Sequence, residues 1–557
     1  MPMADIPDAL RWAQEMLLAG RPAQAEFVCR QVVQQQPQNF EAQLHLGTAL
    51  AQMGRLDEAE SCLLKAARIR PDHAGVYINL GHVYRSRDLP AEAIRFYGQA
   101  IERAPSYAPT YQSLGSAYRE VGKIDEATEC FRRAVGLEPG AHRVHSNLVY
   151  LLYYHPRYSP EAVFAEHRQW ARLHADPLLP TSLHYVNDRD PNRRLRVGYV
   201  SPDLRNHVIG MYVEPVIQNH NRQDIQIFCY SDAAGRSDEL TARLRSRVDD
   251  WRDTRALTDE QLADAVRRDG IDILVDLTLH MAGNRLTVFA RRPAPIQMTY
   301  LAYPGTSGMA AMDYKVTDVH LDPPGLTERY HSERLLRLPG SYWCYTPPPN
   351  CPEVNALPAG DSGPVTFGAL NSFAKVNPQV VAEWAKVLNA TPGSRLLVLI
   401  AGGERGSTEA RAMLQRGGID GQRVEFLGRR PRAEFCRYFH RVDISLDPFP
   451  YNGHTTSLDS LWMGVPVVTL EGESAVGRAG VSILSNLGLP ELIARGGDDY
   501  VSKAVALAND KPLLQSLRRS LRPRMAQSAL TNGPRIAAES ESLYRAAWSE
   551  WCSGRTG

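Results

Sequence analysis

The sequence predicts an α plus α/β fold: an N-terminal superhelix of paired helices followed by two Rossmann-like lobes. Three observations carry that reading. Several residue columns recur every 34 positions in the first part of the chain. Beyond Leu195, short apolar runs alternate with amphipathic segments. A proline-rich stretch, Tyr345–Pro364, splits that alternation into two series.

The repeats come first. Leu46-Gly47, Leu80-Gly81 and Leu114-Gly115 share one frame, as do Ala59, Ala93 and Ala127, and Ala66, Ala100 and Ala134. Leu63, Tyr97 and Phe131 form a column of large residues, and Pro71, Pro105 and Pro139 close the units. Small residues where paired helices cross are the tetratricopeptide pattern. Ala25 and Pro37 extend the frame backward, and Leu148 and Leu152 extend it forward, with Val149 in place of the glycine. The array is expected over residues 1–155. Such arrays curl around a concave groove suited to extended peptides. Asn79 and Asn147 precede the Leu-Gly column and are candidate groove residues, while His45 and Ser113 break the ladder. Asparagines there either solvate a helix face or hold a partner's backbone.

Residues 156–192, with Pro177, Pro180 and Pro191, read as a helical linker. A first lobe is expected over 193–345, from the runs RLRVGYVS, IQIFCYS, IDILVDLT, PIQMTYLAYP and DYKVTD. Residues 346–364 form the inter-lobe linker. A second lobe is expected over 365–531, from VTFGAL, SRLLVLIAG, RVEFLG, VDISLD and VPVVTL, with a last helix in 532–557. Alternation of this kind predicts mostly parallel sheets covered by helices. Ligands of such folds bind beyond the strand C-terminal ends.

The bulk numbers exclude several classes. A chain of 557 residues with 43% hydrophobic and 22% charged residues has ample core for several domains. A formal net charge of +1 argues against a dedicated nucleic-acid binder. Eight cysteines without a CxxC pair suggest neither a disulfide framework nor a zinc site, and a reduced, cytoplasmic setting is expected. The first residues carry acidic side chains and no apolar run, unlike a signal peptide, and no stretch suits a membrane span. Only 7 of the 63 basic residues are lysine, so each lysine draws attention. The oligomeric state is left open, a homo-oligomer included.

The stretch DPFPYNGHTTSLDSLWMGVPVVTL (Asp447–Leu470) is the most informative. A short strand precedes it, Asn452-Gly453 forces a turn, and Thr455, Thr456 and Ser457 are N-cap candidates for a helix that stops at Gly464 and Pro466. A glycine turn feeding a helix N-terminus suits a phosphate. Asp459, on the first turns, is placed to take a ribose hydroxyl. The same pattern also describes an ordinary capped βα turn.

This segment resembles the nucleotide-sugar site of the protein O-GlcNAc transferases and of the Spindly-type O-fucosyltransferases. The GHTT core with Asp459 is similar to the first group, and the preceding DISLDPFPY is similar to the second. The resemblance runs along nearly the whole chain and implies a GT-B fold, with the last helix packed back across the lobes. It implies an inverting transfer of GlcNAc from UDP-GlcNAc to Ser or Thr hydroxyls, with the protein or peptide acceptor recruited through the repeat groove, where family asparagines hold acceptor backbone. Transfer of fucose from GDP-fucose, or a repeat scaffold of little activity, are the other readings.

The resemblance also assigns residues. In VGYVSPDLRNHVIG it places Asp203, Asn206 and His207 in the cleft, with His207 by the donor sugar and acceptor, where neutral imidazole would accept or orient a hydroxyl proton. LTLHMAGNR ends a strand with His280, Gly283 and Asn284 and matches a family segment; the resemblance places His280, Tyr303, Pro304 and Gly305 near the sugar. In FGALNSFAKVNP it aligns Asn371 and Lys375, with Lys375 on the donor phosphates; Ser372 stands where animal enzymes have Gln. Arg432 replaces a ribose-contacting lysine, and Phe435 and Tyr438 replace a His and an Arg that sit against uracil. Tyr451 replaces a small Cys in the acetamido pocket, and Spindly relatives carry Tyr there. His454, Thr455 and Thr456 complete the donor set, and Spindly relatives lack this His. AGGERG (Ala401–Gly406) reads as a βα turn, contact with nucleotide being the other reading. No cofactor is implied and no metal is required: Asp188-Arg189-Asp190 lies in a linker, and His142 and His145 read as solvated helix residues rather than a metal pair.

Overall fold

The structure, a computed structural model, describes residues 5–233 and 238–554. Five helix pairs open it: Ile6–Leu18 with Pro22–Gln35, Phe40–Gln52 with Leu56–Ile69, Ala74–Ser86 with Pro90–Arg103, Ala108–Glu120 with Ile124–Leu137, and His142–Leu152 with Pro160–His174. The repeat columns explain the pairing. The glycine column meets the column of large residues: a Cβ on Gly47 would lie 2.7 Å from Leu63 Cγ, one on Gly115 would lie 3.1 Å from Phe131 Cε1, and one on Gly81 would overlap the Tyr97 ring. Leu63, Tyr97 and Phe131 are fully buried, as are all six column alanines. The array outruns its expected end at residue 155. Pro160–His174, started by Ser159 accepting the Ala162 N–H, is the second helix of a fifth pair rather than part of a linker. The proline-rich approach to it disguises the pairing.

Two parallel sheets follow. The first holds β1 (Leu195–Ser201), β2 (Ile225–Ser231), β3 (Asp250–Asp253), β4 (Ile273–Asp276), β5 (Ile296–Thr299), β6 (Tyr314–Asp318) and β7 (Arg334–Leu338), in the order β3-β2-β1-β4-β5-β6-β7. The second holds β8 (Thr366–Ala369), β9 (Arg395–Leu399), β10 (Val424–Leu427), β11 (Ile444–Leu446), β12 (Val467–Leu470) and β13 (Ile493–Ala494), in the order β10-β9-β8-β11-β12-β13. In each, chain order reverses once, between β1 and β4 and between β8 and β11. Crevices at such reversals are where doubly wound sheets bind ligands.

The lobes are held together directly. The Ser482 hydroxyl donates to Asp318 at 2.6 Å and Arg478 Nε to the His320 carbonyl at 3.0 Å. The last helix, Gly533–Cys552, follows the second lobe but packs on the first, against helix Val208–Asn219, β5 and β7. Tyr544 meets Tyr199 at 3.1 Å, and Glu541 meets His220 at 2.8 Å.

The repeat array is fastened to both lobes. On the first, Ser146 Oγ lies 3.2 Å from His280 Nδ1, and Arg168 donates to the Gly308 carbonyl. On the second, Asp88 accepts the Gly402 N–H at 2.8 Å and an Arg429 N–H at 3.0 Å, and Lys123 pairs with Glu409 at 3.1 Å. The AGGERG turn is thus a βα turn that receives the third helix pair. Gly122, at φ +78°, sits against Phe373 so closely that a Cβ would fall 3.0 Å from its ring. No described helix is long and apolar enough to cross a membrane.

Candidate active site

The second lobe's crevice is built by the segments leaving β8 and β11. From β8 the chain passes buried Asn371 and exposed Ser372 into a single turn, Phe373–Lys375, that presents the Lys375 ammonium. From β11 it passes Asp447 and the prolines to Tyr451, Asn452 and Gly453. Lys375 Nζ donates to the Asn452 carbonyl at 2.6 Å and lies 4.2 Å over the centre of the Tyr451 ring. Burial pushes its ammonium down to about 7, with Asp447 opposing the shift.

His454 stacks on Tyr451 at 5.2 Å, and Trp343 lies at the same distance. Burial, and then the neighbouring Lys375, hold its imidazole well below the ordinary histidine range, so it is neutral. Its Nε2 is buried with no partner among the described residues. A buried polar atom left without a hydrogen bond is costly, so this nitrogen keeps the capacity for one more bond. Tyr451 also stacks on Tyr154 of the repeats at 4.6 Å, so the array forms part of this wall.

Helix Thr455–Trp462 starts at His454 with no side-chain cap. The expected capping by Thr455, Thr456 or Ser457 does not occur. Thr455 Oγ1 instead meets Tyr212 Oη of the first lobe at 2.8 Å, and the Ser457 hydroxyl donates to Asp447 at 3.3 Å. Thr456 is half-buried on the first turn. The first-turn N–H groups, which no helix can satisfy internally, have no side-chain cap.

Asp459 is engaged by protein partners chiefly through Oδ1, while its Oδ2 has one contact among the described residues, Arg432 Nε at 3.5 Å. Only 2% exposed, it accepts from Tyr345 at 2.7 Å and from Arg432 at 2.7 Å, because a buried carboxylate needs partners. Arg432 also donates to the Thr346 carbonyl at 3.2 Å and touches Met211 of the first lobe. The pair therefore ties lobe, linker and lobe together. Phe435 and Tyr438 are half-buried beside it, with the Tyr438 hydroxyl on the Gly428 carbonyl at 3.0 Å.

In the first lobe, Asp203 and His207 leave β1 as expected. Asp203 bonds Arg205 at 3.0 Å, the Asn206 N–H donates to Asp238, and His207 caps helix Val208–Asn219 by accepting the Ile209 N–H on Nδ1 at 3.3 Å. Burial keeps His207 below its ordinary range, with Asp203 opposing. The same Nδ1 lies 3.5 Å from Asp203 Oδ2, so a carboxylate and a backbone N–H compete for it and Nε2 faces outward. His207→Ala is expected to lose about 1 kcal/mol of capping together with transfer, and His207→Asn to keep stability but lose about 10²-fold in rate. Melting curves beside a transfer assay separate the two; undiminished transfer in His207→Asn would leave His207 as a cap only.

Other expected site residues lie elsewhere. His280 is fully buried, its Nδ1 on Ser146 and its Nε2 donating to the Ser307 carbonyl at 2.9 Å, with Trp170 and His167 against the ring. It fastens the array to the first lobe and does not face the cleft. Asn284 is buried on the Met281 carbonyl, and Gly283, at φ +80°, shapes that turn. Tyr303 is buried among Tyr150 and Tyr153, and Pro304 and Gly305 line a cavity of about 420 Å³ between the last repeat and both lobes. Asn79 donates to Thr48 at 2.9 Å, and Asn147 is half-buried. His145 is not solvated: it is buried on His174 at 3.1 Å and Glu166 at 3.2 Å. Among the described residues no group of three His, Cys, Asp or Glu side chains is arranged to hold a metal ion.

The glycosyl transferase family 41 profile matches residues 137–345 and 356–539, and tetratricopeptide repeat profiles match 16–80, 74–107 and 108–140. The chain belongs to glycosyl transferase family 41. A lysine-to-methionine variant of the Thermobaculum terrenum O-GlcNAc transferase superposes over 100% of both chains, with a TM-score of 0.80 and 38% identity. The probable UDP-N-acetylglucosamine–peptide N-acetylglucosaminyltransferase SPINDLY of Solanum lycopersicum is 37% identical over 428 residues, 75% of this chain and 45% of the relative. The corresponding SEC protein of Arabidopsis thaliana is 33% identical over 375 residues, 65% of this chain and 38% of the relative. The chain spans about half the length of the curated relatives it matches. Sequence reasoning had overlooked what this family 41 site uses to hold its turn and join its lobes: Asp447, Tyr212 and Tyr345. Only Asp447 carried a signal, as an acid ending an apolar strand at the head of the motif.

Proposed function

We propose that this family 41 protein is an inverting glycosyltransferase that moves GlcNAc from UDP-GlcNAc to Ser or Thr hydroxyls of proteins, with the repeats recruiting the acceptor. One observation carries the reading: a cation, an uncapped helix N-terminus and an unpartnered neutral imidazole converge at one sheet reversal. A nucleoside diphosphate gathers charge as its bond to the sugar breaks, and fixed donors aimed at that charge lower the barrier. Lys375 and the first turn of helix Thr455–Trp462 supply them, so the reading assigns no metal to the diphosphate. The names of the relatives support this donor and acceptor. The eight unpaired thiols accord with a reduced, cytoplasmic setting.

Fucose transfer from GDP-fucose is favoured by one feature. The Tyr451 ring, gripped by Tyr154 and His454, fills space where a smaller residue would leave room for an acetamido group. Calorimetry of UDP and of GDP with the purified protein, without added metal, tests both. Tight UDP and weak GDP binding, followed by transfer to peptide, is the expected result. The reverse order moves the donor to GDP-fucose, and binding of neither leaves a scaffold.

A further inference from the structure

Asp447 lies at the head of the turn, 1% exposed. Its Oδ1 accepts the Gly453 N–H at 2.7 Å and the Ser457 hydroxyl at 3.3 Å; its Oδ2 accepts the Thr469 hydroxyl at 2.8 Å. Every one of these donors is neutral. Lys375 Nζ donates to the Asn452 carbonyl at 2.6 Å. The Asn452 carbonyl and the Gly453 N–H are the two ends of one peptide unit. Cation and carboxylate therefore hold the same amide from opposite ends, and hydrogen bonds in such a chain polarise one another.

We propose that Asp447 is the positioning residue for Lys375, fixing and charging it through the single peptide unit between Asn452 and Gly453. The inference rests on the reading that Lys375 meets the donor diphosphate. Around Lys375 stand the Tyr451 ring, neutral His454 and the Asn452 carbonyl; around Asp447 stand Gly453, Ser457, Thr469 and Tyr500, whose hydroxyl donates to the Asp447 carbonyl at 3.1 Å. Asp447 is the anion that acts on Lys375. Burial pushes its own carboxyl up to about 6, against the pull of Thr469, Gly453 and Lys375. Without this carboxylate the buried ammonium loses its proton at lower pH.

Asp447→Asn keeps an acceptor for the Gly453 N–H and removes the charge. The first measurement is acetylation of Lys375 by acetic anhydride across pH in the unliganded protein, read on its peptide by mass spectrometry. The labelling midpoint is expected to fall by about one pH unit or more. The alkaline limb of transfer is expected to fall with it, because the diphosphate needs the charged form. A role confined to holding the turn would lower transfer at every pH and leave both curves in place; superimposed labelling curves overturn the proposal. Asp447→Glu keeps the charge one methylene away and is expected to stay within about 0.5 pH unit of wild type. A full-unit shift in that variant also overturns the proposal, even if the Asn variant does not fold. Failure of UDP binding and transfer in wild type would remove the diphosphate reading, while labelling still decides whether Asp447 charges Lys375.

Discussion

Lys375→Ala is expected to cut transfer by about 10²–10³-fold, the usual loss when a fixed donor aimed at transition-state charge is removed. The side chain ends a single turn at the edge of the crevice, and among the described residues it donates to the Asn452 carbonyl. Its stem is half-buried, so truncation opens space toward the cleft and not into the core. The melting temperature should therefore stay near that of wild type while the rate collapses. Losing a partly desolvated ammonium spares the protein some burial cost, which also argues against unfolding. The loss should fall mainly on kcat, because charge on the leaving diphosphate grows as the reaction proceeds. Near-normal turnover with an intact fold would remove Lys375 from the chemistry.

Gly453→Ala is expected to weaken donor binding strongly through packing. A Cβ there would lie 2.7 Å from Asp447 Oδ1, 2.8 Å from Asn371 Oδ1 and closer still to Ser457 Oγ. All three neighbours are buried, and Asp447 is pinned by Thr469. The turn must move, which takes the Asn452 carbonyl away from Lys375 and re-aims the helix start. Overpacking of this kind costs about 1–3 kcal/mol. Calorimetry should show UDP affinity lowered by well over tenfold, alongside a lower melting temperature. Gly98, in a repeat helix with open space where its Cβ would go, is the control: Gly98→Ala should leave binding unchanged and gain up to about 1 kcal/mol from helix propensity. Equal UDP affinity in the two variants would sink the argument from close packing.

The sequence displays its interior better than its rims. The inner strands of both sheets read as apolar runs because both faces are buried. The strands it hid are edges: β3 and β7 in the first sheet and β13 in the second. Asp-Trp-Arg-Asp of β3 is half-exposed, and β13 has two residues, so neither leaves a hydrophobic signature. The crevice of the second lobe was legible for a related reason. Its residues lie in two contiguous stretches, because a sheet reversal brings together just the ends of β8 and β11. Partners brought from afar were not. Tyr212 meets Thr455 across 243 positions, and Asp88 meets Gly402 across 314. His280 was misread because helices His142–Leu152 and Pro160–His174 enclose it, and nothing near it in sequence announces them.

The fastening of the repeats to both lobes has a further consequence. With Asp88 and Lys123 bound to one lobe and Ser146 and Arg168 to the other, the array cannot swing about the crevice as a tethered arm would. On the proposed reading, a polypeptide gripped by the array meets the crevice as if laid along a ruler: its contour length from the grip decides which hydroxyl arrives. Lengthening the array at its free end would tighten the grip without changing that residue. Loosening the joint would do the opposite, blurring the choice of site and lowering the local concentration of each hydroxyl.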